Sequence, residues 1–486
     1  MSDEILKLKP EAVWKNFYSL TQIPRPSKKE AKVIEFMKKF GEDLGLETIV
    51  DGVGNVIIKK PATPGMENKK TICLQGHLDM VPQKNSNVDH DFEKDPIDAY
   101  VDGEWVTARD TTLGADNGIG VAAAMAVLES KDIKHGPIEA LFTIDEETGM
   151  TGAFGLKPDV LNADILLNLD SEDEGELYIG CAGGENTNME FTYSEEDVPA
   201  GSAAYEVKVT GMKGGHSGLD INIGRGNAIK VLNRFLYNAA KDFDLRIASI
   251  EGGSLRNAIP REGFAIATVP ADKKGDFEKA ASEYEKTIKS ELGGTEPDMA
   301  FKVTETDMPS KLIDKKTQDA LLRAIYATPN GVIRMSDSVE GLVETSTNLA
   351  SVKSENGKIF LQSLQRSSVD SAREDICAAV RCVYELAGAQ VEHNGAYPGW
   401  KPNMDSPILK KMLSVYKDNF GKTPEVKAIH AGLECGLLGA VYPKTDMISF
   451  GPTIRFPHSP DEKVNIATVQ KFWDFLVKTL EQVDDK

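Results

Sequence analysis

Five places in this 486-residue sequence share one pattern: an apolar run ends and a histidine or an acid follows. ICLQ leads into Gly76-His77-Leu78-Asp79. The loop TLGAD delivers Asp116 at the start of a small-residue helix. IEALFTI leads into Asp145-Glu146-Glu147, and ILLNL into Asp170. MISFG is followed, after a short loop, by His458. A single acid after a strand is ordinarily a turn or cap residue. Repetition at five strand ends argues for more, because ligands of an open α/β sheet bind beyond the carboxyl ends of its strands. Two histidines and several carboxylates converging there make a hard, N/O-rich site for divalent metal. Asp79 follows His77 at the right distance to hold the second imidazole nitrogen, as a metal-bound histidine requires. Glu146 and Glu147, side by side in a cleft, repel unless a cation or proton lies between them. One can bind metal while its neighbour handles protons.

The elements that must position these residues can be read from the same runs. Helix signals cover about Glu11–Leu20 and Lys29–Leu44, and strand-like runs cover Asn55–Lys59 and Thr71–Gln75. The helix GIGVAAAMAVLES follows Asp116, and strands are expected at Ile138–Ile144 and Ile165–Leu169. Short apolar strands separated by helices indicate an α/β sheet buried on both faces. From Tyr205 the runs alternate as half-exposed strands do, with long amphipathic helices between them. Here SLRNAIPREGFAIATVPADKKGDFEKAASEYEKTI echoes STNLASVKSENGKIFLQSLQRSSVDSAREDICAAVRCVYEL, which suggests a duplicated α+β unit. The tail returns to α/β texture, with a helix at Pro407–Phe420 and a strand at Met447–Phe450. The expected organisation is a discontinuous catalytic α/β domain, residues 1–185 and 400–486, whose central sheet is flanked by helices. An inserted lid of two related α+β units would fill 186–399.

Bulk properties exclude several classes. Lys and Arg total 56 against 76 Asp and Glu, a net charge of −20, which disfavours nucleic acid and anionic membrane as partners. No apolar run is long enough to span a bilayer, and the first residues lack the pattern of a secretory signal. The five cysteines are scattered and form no C-x-x-C pair, so a reducing cytoplasm is expected.

GHLDM, TLGADNG, FTIDEETG, NLD and PHSPDE resemble the di-zinc peptidase family of aminoacylases, carboxypeptidases and dipeptidases. HAGLECG, YPGWKPNMDS and the duplicated middle are similar to its bacterial branch of aminoacyl-histidine dipeptidases. The resemblance spans nearly the whole chain and implies two Zn2+ per chain, with Co2+ or Mn2+ also suited to such donors. It implies that Asp116 bridges both ions. His77 and Asp170 would complete one site, and Glu147 and His458 the other. Asp79 would orient His77, Glu146 would be the general base, and the Asp116–Asn117 peptide would be cis. Such a pair of ions acidifies a water held between them, and a nearby carboxylate can pass its proton to the leaving amine.

His216 lies in the glycine-rich run Gly211–Gly218, which by itself reads as an exposed turn. By resemblance it polarises the scissile carbonyl from the lid, and a duplicated lid lets one chain supply its own, so either a monomer or a homodimer is expected. A dipeptidase must also read a free carboxylate, which suits a fixed arginine. Arg366 is the leading candidate by resemblance and Asn257 the second. Glu434 could meet the substrate amine or serve as a structural charge partner, and His430 is open in the same way. His90, His135 and His393 sit in polar stretches and are expected to face solvent.

The reading is therefore metal-dependent hydrolysis of small peptides, above all dipeptides, with Xaa-His such as β-Ala-His suggested by the branch. The alternatives are an N-acyl-amino-acid deacylase or a tripeptidase of the same fold. A non-catalytic metal-binding protein is disfavoured because the base and all five ligand positions are present. A two-metal phosphoesterase is disfavoured by the motif set.

Overall fold

A computed structural model describes residues 2–486. The chain divides into two compact units, one of Met1–Gly180, Pro402–Ala428 and Leu433–Lys486, the other of Cys181–Lys401 and Ile429–Gly432. The expected middle region ended at 399 and did not include Ile429–Gly432, the segment that carries His430.

The first unit is built on an eight-stranded sheet. Its order is Glu47–Val50, Val56–Lys60, Ile138–Thr143, Ile72–His77, Ile165–Asn168, Asp446–Ser449, Glu176–Cys181 and Glu425–Ile429. Ile138–Thr143, Ile72–His77, Ile165–Asn168 and Asp446–Ser449 run parallel. Three of these four strands are buried at every residue, as strands covered on both faces must be. Their shared direction brings His77, Thr143, Asn168 and Ser449 to one edge of the sheet. The helix Ala115–Glu129 is apolar all round and almost wholly buried. Its small residues let it approach the sheet closely: a Cβ on Gly120 would lie 2.3 Å from the Leu169 carbonyl. A separate four-stranded sheet orders Ile454–Arg455, Lys463–Asn465, Trp105–Ala108 and Ala99–Asp102. Its first two strands form a hairpin whose loop contains His458 and Glu462.

The second unit is an antiparallel sheet packed with four helices. Ser202–Thr210, Ala228–Asp242, Arg246–Gly252, Gly263–Pro270, Lys274–Leu292 and Ala300–Glu305 form one βαββαβ unit. Gly183–Thr192, Lys315–Ala327, Val343–Glu355, Lys358–Ser367, Asp370–Leu386 and Gln390–Tyr397 form another. In each, the strands lie in the order fourth, first, third, second, and the two units join through their second strands. The first is nested in the chain after the opening strand of the second. Alternating burial, as in Ser202–Thr210, matches a sheet with one covered face. Among the described residues no helix is long and apolar enough to cross a membrane.

Candidate active site

The parallel strands and their neighbouring loops bring His77, Asp116, Glu146, Glu147, Asp170 and His458 together. His77, at the last position of its strand, points Nε2 at Asp116 Oδ1 (3.2 Å) and at Asp170 Oδ1 (3.3 Å). His458 points Nε2 at Asp116 Oδ2 (3.3 Å) and Glu147 Oε2 (2.9 Å). One carboxylate thus presents each oxygen to a different histidine–carboxylate pair. The two resulting sets, His77–Asp116–Asp170 and Asp116–Glu147–His458, each place their donor atoms within 4.8 Å of one another.

Local structure explains the aim of each group. Asp116 departs from helical geometry (φ −78°, ψ 112°) inside the first turn of its helix, and the Asp116–Asn117 peptide is cis. The Asn117 side chain donates to the Leu169 carbonyl (2.6 Å), which ties this turn to the strand preceding Asp170. Asp79 is fully buried. Its Oδ1 lies 3.4 Å from His77 Nδ1 and accepts the Glu146 N–H (3.0 Å), while Oδ2 accepts the Glu147 N–H (3.3 Å) and the Ser27 hydroxyl (2.8 Å). The Asp79 backbone carbonyl is nearer to His77 Nδ1 (3.1 Å), and the side chain caps the start of the short helix Glu146–Gly149.

The electrostatics fit cations. Burial, followed by the charges of Asp170, Glu434 and Glu147, holds the Glu146 carboxyl well above the usual range, against the pull of His77. Burial and the nearby Asp116 and Glu434 push Asp170 up to about 7. Glu172 rises to about 8, again by burial and then by Asp116 and Asp170. The histidines answer these acids. His458 is raised to about 11 by its bonds to Asp116 and Glu147, and His77 is raised although burial opposes it. Asp79 and Asp116 are lowered despite burial because they hold those imidazoles. Glu147 Oε1 is buried and accepts no hydrogen bond, and the buried Asp170 Oδ1 has His77 Nε2 beside it at 3.3 Å. Carboxylate oxygens short of donors beside two imidazoles suit divalent cations.

Glu434 is buried in the same unit, where its Oε2 accepts from Gln75 (2.6 Å) and Thr143 (2.8 Å) while Oε1 has no partner. Burial pushes its carboxyl up to about 7.

The second unit gathers a different group. His216 Nδ1 accepts the backbone N–H groups of Gly218 (3.2 Å) and Leu219 (3.0 Å). A nitrogen that accepts two N–H bonds carries no proton, so in the neutral ring Nε2 carries it as a donor. Burial and the Arg366 charge depress the His216 pKa to about 4 and keep the ring neutral. Arg366 is 5% exposed; Nη1 donates to the Tyr397 hydroxyl (3.0 Å) and Nε has no acceptor. His430 is buried, with Nε2 2.7 Å from Ser346 Oγ. Burial, then Arg366 and His216, depress it to about 3. Asn257 is exposed, and only its backbone carbonyl is engaged, accepting from Ser217 N–H (2.8 Å).

The histidines expected to face solvent are drawn in, His135 fully and His90 and His393 by half. His135 is fully buried, its Nδ1 bonded to the Gly136 carbonyl (2.7 Å). His393 lies in the strand Gln390–Tyr397, between Thr187 and Arg381. His90 packs on the Phe92 ring. In each case a local hydrogen-bond or ring partner draws the imidazole inward from a polar stretch.

Two important groups escaped the sequence reading. Arg25 is buried and donates to the carbonyls of Leu78 (2.9 Å), Asp79 (3.1 Å) and Gly114 (2.5 Å). Glu462 is buried and accepts four backbone N–H groups, from Leu113 through Asp116. The available signal was the pair of glycines in TLGADNG. A Cβ at Gly114 or Gly118 would lie 2.6 or 2.7 Å from an Arg25 terminal nitrogen, and Gly114 has φ +71°.

The sequence profile of peptidase family M20/M25/M40 matches residues 73–482, which includes every residue of the metal-donor sets. The chain belongs to that family. This M20 peptidase is 46% identical over 483 residues to the cytosol non-specific dipeptidase of Escherichia coli strain K12, covering 99% of this chain and all of the relative. Its structure matches that of an aminoacylhistidine dipeptidase from Vibrio alginolyticus with a TM-score of 0.94 and 51% identity, covering both chains completely. It shares its fold with the aminopeptidase PepT of Bacillus cereus (TM-score 0.62, 17% identity, 98% of both chains).

Proposed function

We propose that this peptidase hydrolyses dipeptides with the help of two divalent ions, zinc being the first choice, held by His77, Asp116, Asp170, Glu147 and His458. The observation that carries the reading is Asp116, whose two oxygens face two separate histidine–carboxylate pairs. The ions would polarise the carbonyl and acidify the attacking water. Glu146 takes the proton of that water and delivers it to the leaving amine; a carboxyl whose pKa burial raises suits a group that must hold and then release a proton. Asp79 holds His77 and the backbone of Glu146 in one arrangement, so the ligand and the base move as a unit.

His216 donates from Nε2 to the developing oxyanion, and it can do so across neutral pH because its ring does not charge there. Arg366 takes the free carboxylate; its unpaired buried Nε supports this role. Asn257 is a weaker candidate for backbone contact with the substrate. The orphaned Oε1 of Glu434 suits the substrate's ammonium group.

The dipeptide class is supported by the two full-length relatives, one named a cytosol non-specific dipeptidase and the other an aminoacylhistidine dipeptidase. The first name also supports a cytosolic location, and the second supports Xaa-His peptides within a broad range. The test is a panel of purified substrates: β-Ala-His, Leu-Gly, tripeptides and N-acetyl amino acids. Preferential cleavage of dipeptides is expected. Cleavage of tripeptides or acetylated amino acids alone would overturn the dipeptide reading in favour of a tripeptidase or a deacylase.

A further inference from the structure

The buried Glu462 carboxyl has no charged bonding partner; all four of the bonds its oxygens accept come from one loop. One oxygen accepts the N–H groups of Leu113 (2.7 Å) and Gly114 (2.9 Å), and the other accepts those of Ala115 (2.7 Å) and Asp116 (3.2 Å). Its own backbone lies four residues beyond His458, in the hairpin loop between Ile454–Arg455 and Lys463–Asn465. Thr107 anchors that end by donating to the Glu462 carbonyl (2.7 Å). Glu462 therefore joins the segment carrying His458 to the segment carrying Asp116. These are two of the three segments in the Asp116–Glu147–His458 set. Arg25 makes the complementary link, from the carbonyls after His77 to the Gly114 carbonyl.

We infer that Glu462 is a positioning residue that sets the affinity of the Asp116–Glu147–His458 ion selectively, leaving the His77–Asp116–Asp170 ion to be fixed by Arg25. His458 needs such a tether more than His77 does. Its side chain is 50% exposed and its backbone is left-handed (φ 59°), whereas His77 is 1% exposed and ends a central strand. An exposed ligand on a loop brings its own conformational freedom to the site, and a buried carboxylate that spans both segments removes it. The selectivity follows from His458, whose loop is the one that Glu462 ties down; Asp116, common to both sets, is also held through the Arg25–Gly114 and Asn117–Leu169 bonds, and no Glu462 bond touches the segment of His77 or Asp170.

This inference rests on the two-ion reading above. The test is Glu462→Gln, because the amide nitrogen must face one pair of backbone N–H donors in either orientation and repels that pair. Metal-free wild-type and variant proteins are titrated with Co2+, with each binding step followed by visible absorption and calorimetry. The expected result is one affinity weakened about 10- to 100-fold and the other unchanged. Activity should then recover at high metal concentration with an unaltered KM. Two unchanged affinities, or two affinities weakened equally, overturn the proposal. If the Gln variant does not fold, Glu462→Asp serves instead. It keeps the carboxyl but is too short to reach all four N–H groups, and the same two patterns decide. Wild-type protein that binds both ions yet cleaves no dipeptide would sink the dipeptidase reading alone.

Discussion

In the first unit, burial drives carboxyl groups to hold their protons: Glu146, Asp170, Glu172 and Glu434 all shift upward. In the second unit, burial strips protons from imidazoles, taking His216 to about 4 and His430 to about 3. The same desolvation acts on both, and the neighbours decide what it produces. The crowded acids outnumber His77, His458 and the buried Arg25, a deficit of positive charge that divalent ions would supply. The histidines beside Arg366 already have a fixed cation, so they remain neutral hydrogen-bonding groups and leave the guanidinium available to an anion. On the proposed reading, one cluster receives cations and the other a carboxylate or an oxyanion.

The largest expected effect comes from breaking the acid cluster at its centre. Asp116→Ala should lose both ions and bring hydrolysis to background, as read by metal analysis beside activity; retention of both ions would contradict its bridging position. Glu146→Gln sharpens the comparison within the same cluster. Activity should fall about 10²- to 10⁴-fold while metal content stays at the wild-type value. Loss of metal in this variant would make Glu146 a ligand rather than a base.

On the other side, Arg366→Ala should raise KM for free-carboxylate dipeptides about 10- to 100-fold, the loss of a charge-assisted hydrogen bond. C-terminally amidated analogues should be little affected. An equal loss on both would separate Arg366 from carboxylate recognition.

The smallest effect tests the stripped imidazoles. The folded His430 pKa lies near 3, below the 6.5 of a free histidine. The unfolded chain then binds the extra proton first, so this stabilisation is complete above about pH 6.5 and is lost as pH falls toward 3. In metal-free protein, His430→Asn should flatten the fall of the unfolding midpoint between pH 6.5 and 4.5. A slope identical to wild type would contradict the buried neutral ring.

The two regions also differed in how much their sequence disclosed. The parallel strands wrote themselves as short apolar runs, and acids or a histidine at their ends stood out. The helix Pro407–Phe420 matched residue for residue because Ser406 caps it, Pro407 starts it and Gly421, in the left-handed conformation, stops it. The family resemblance was carried by the same segments. What remained hidden was long-range: Arg25 and Glu462 act through backbone groups about 55 to 350 positions away, and side-chain spacing says nothing about such partners. The nesting of one βαββαβ unit within the other was hidden because the strand Gly183–Thr192 belongs with segments more than a hundred residues later. His135 and His393 were misread because a polar neighbourhood in sequence can still fold inward around a single good acceptor.

The most direct test of the account is chelation followed by stepwise return of zinc, with hydrolysis of β-Ala-His and Leu-Gly followed throughout. The account predicts no cleavage by metal-free protein and recovery that saturates at two ions per chain. Undiminished cleavage by protein shown to be free of metal would contradict it.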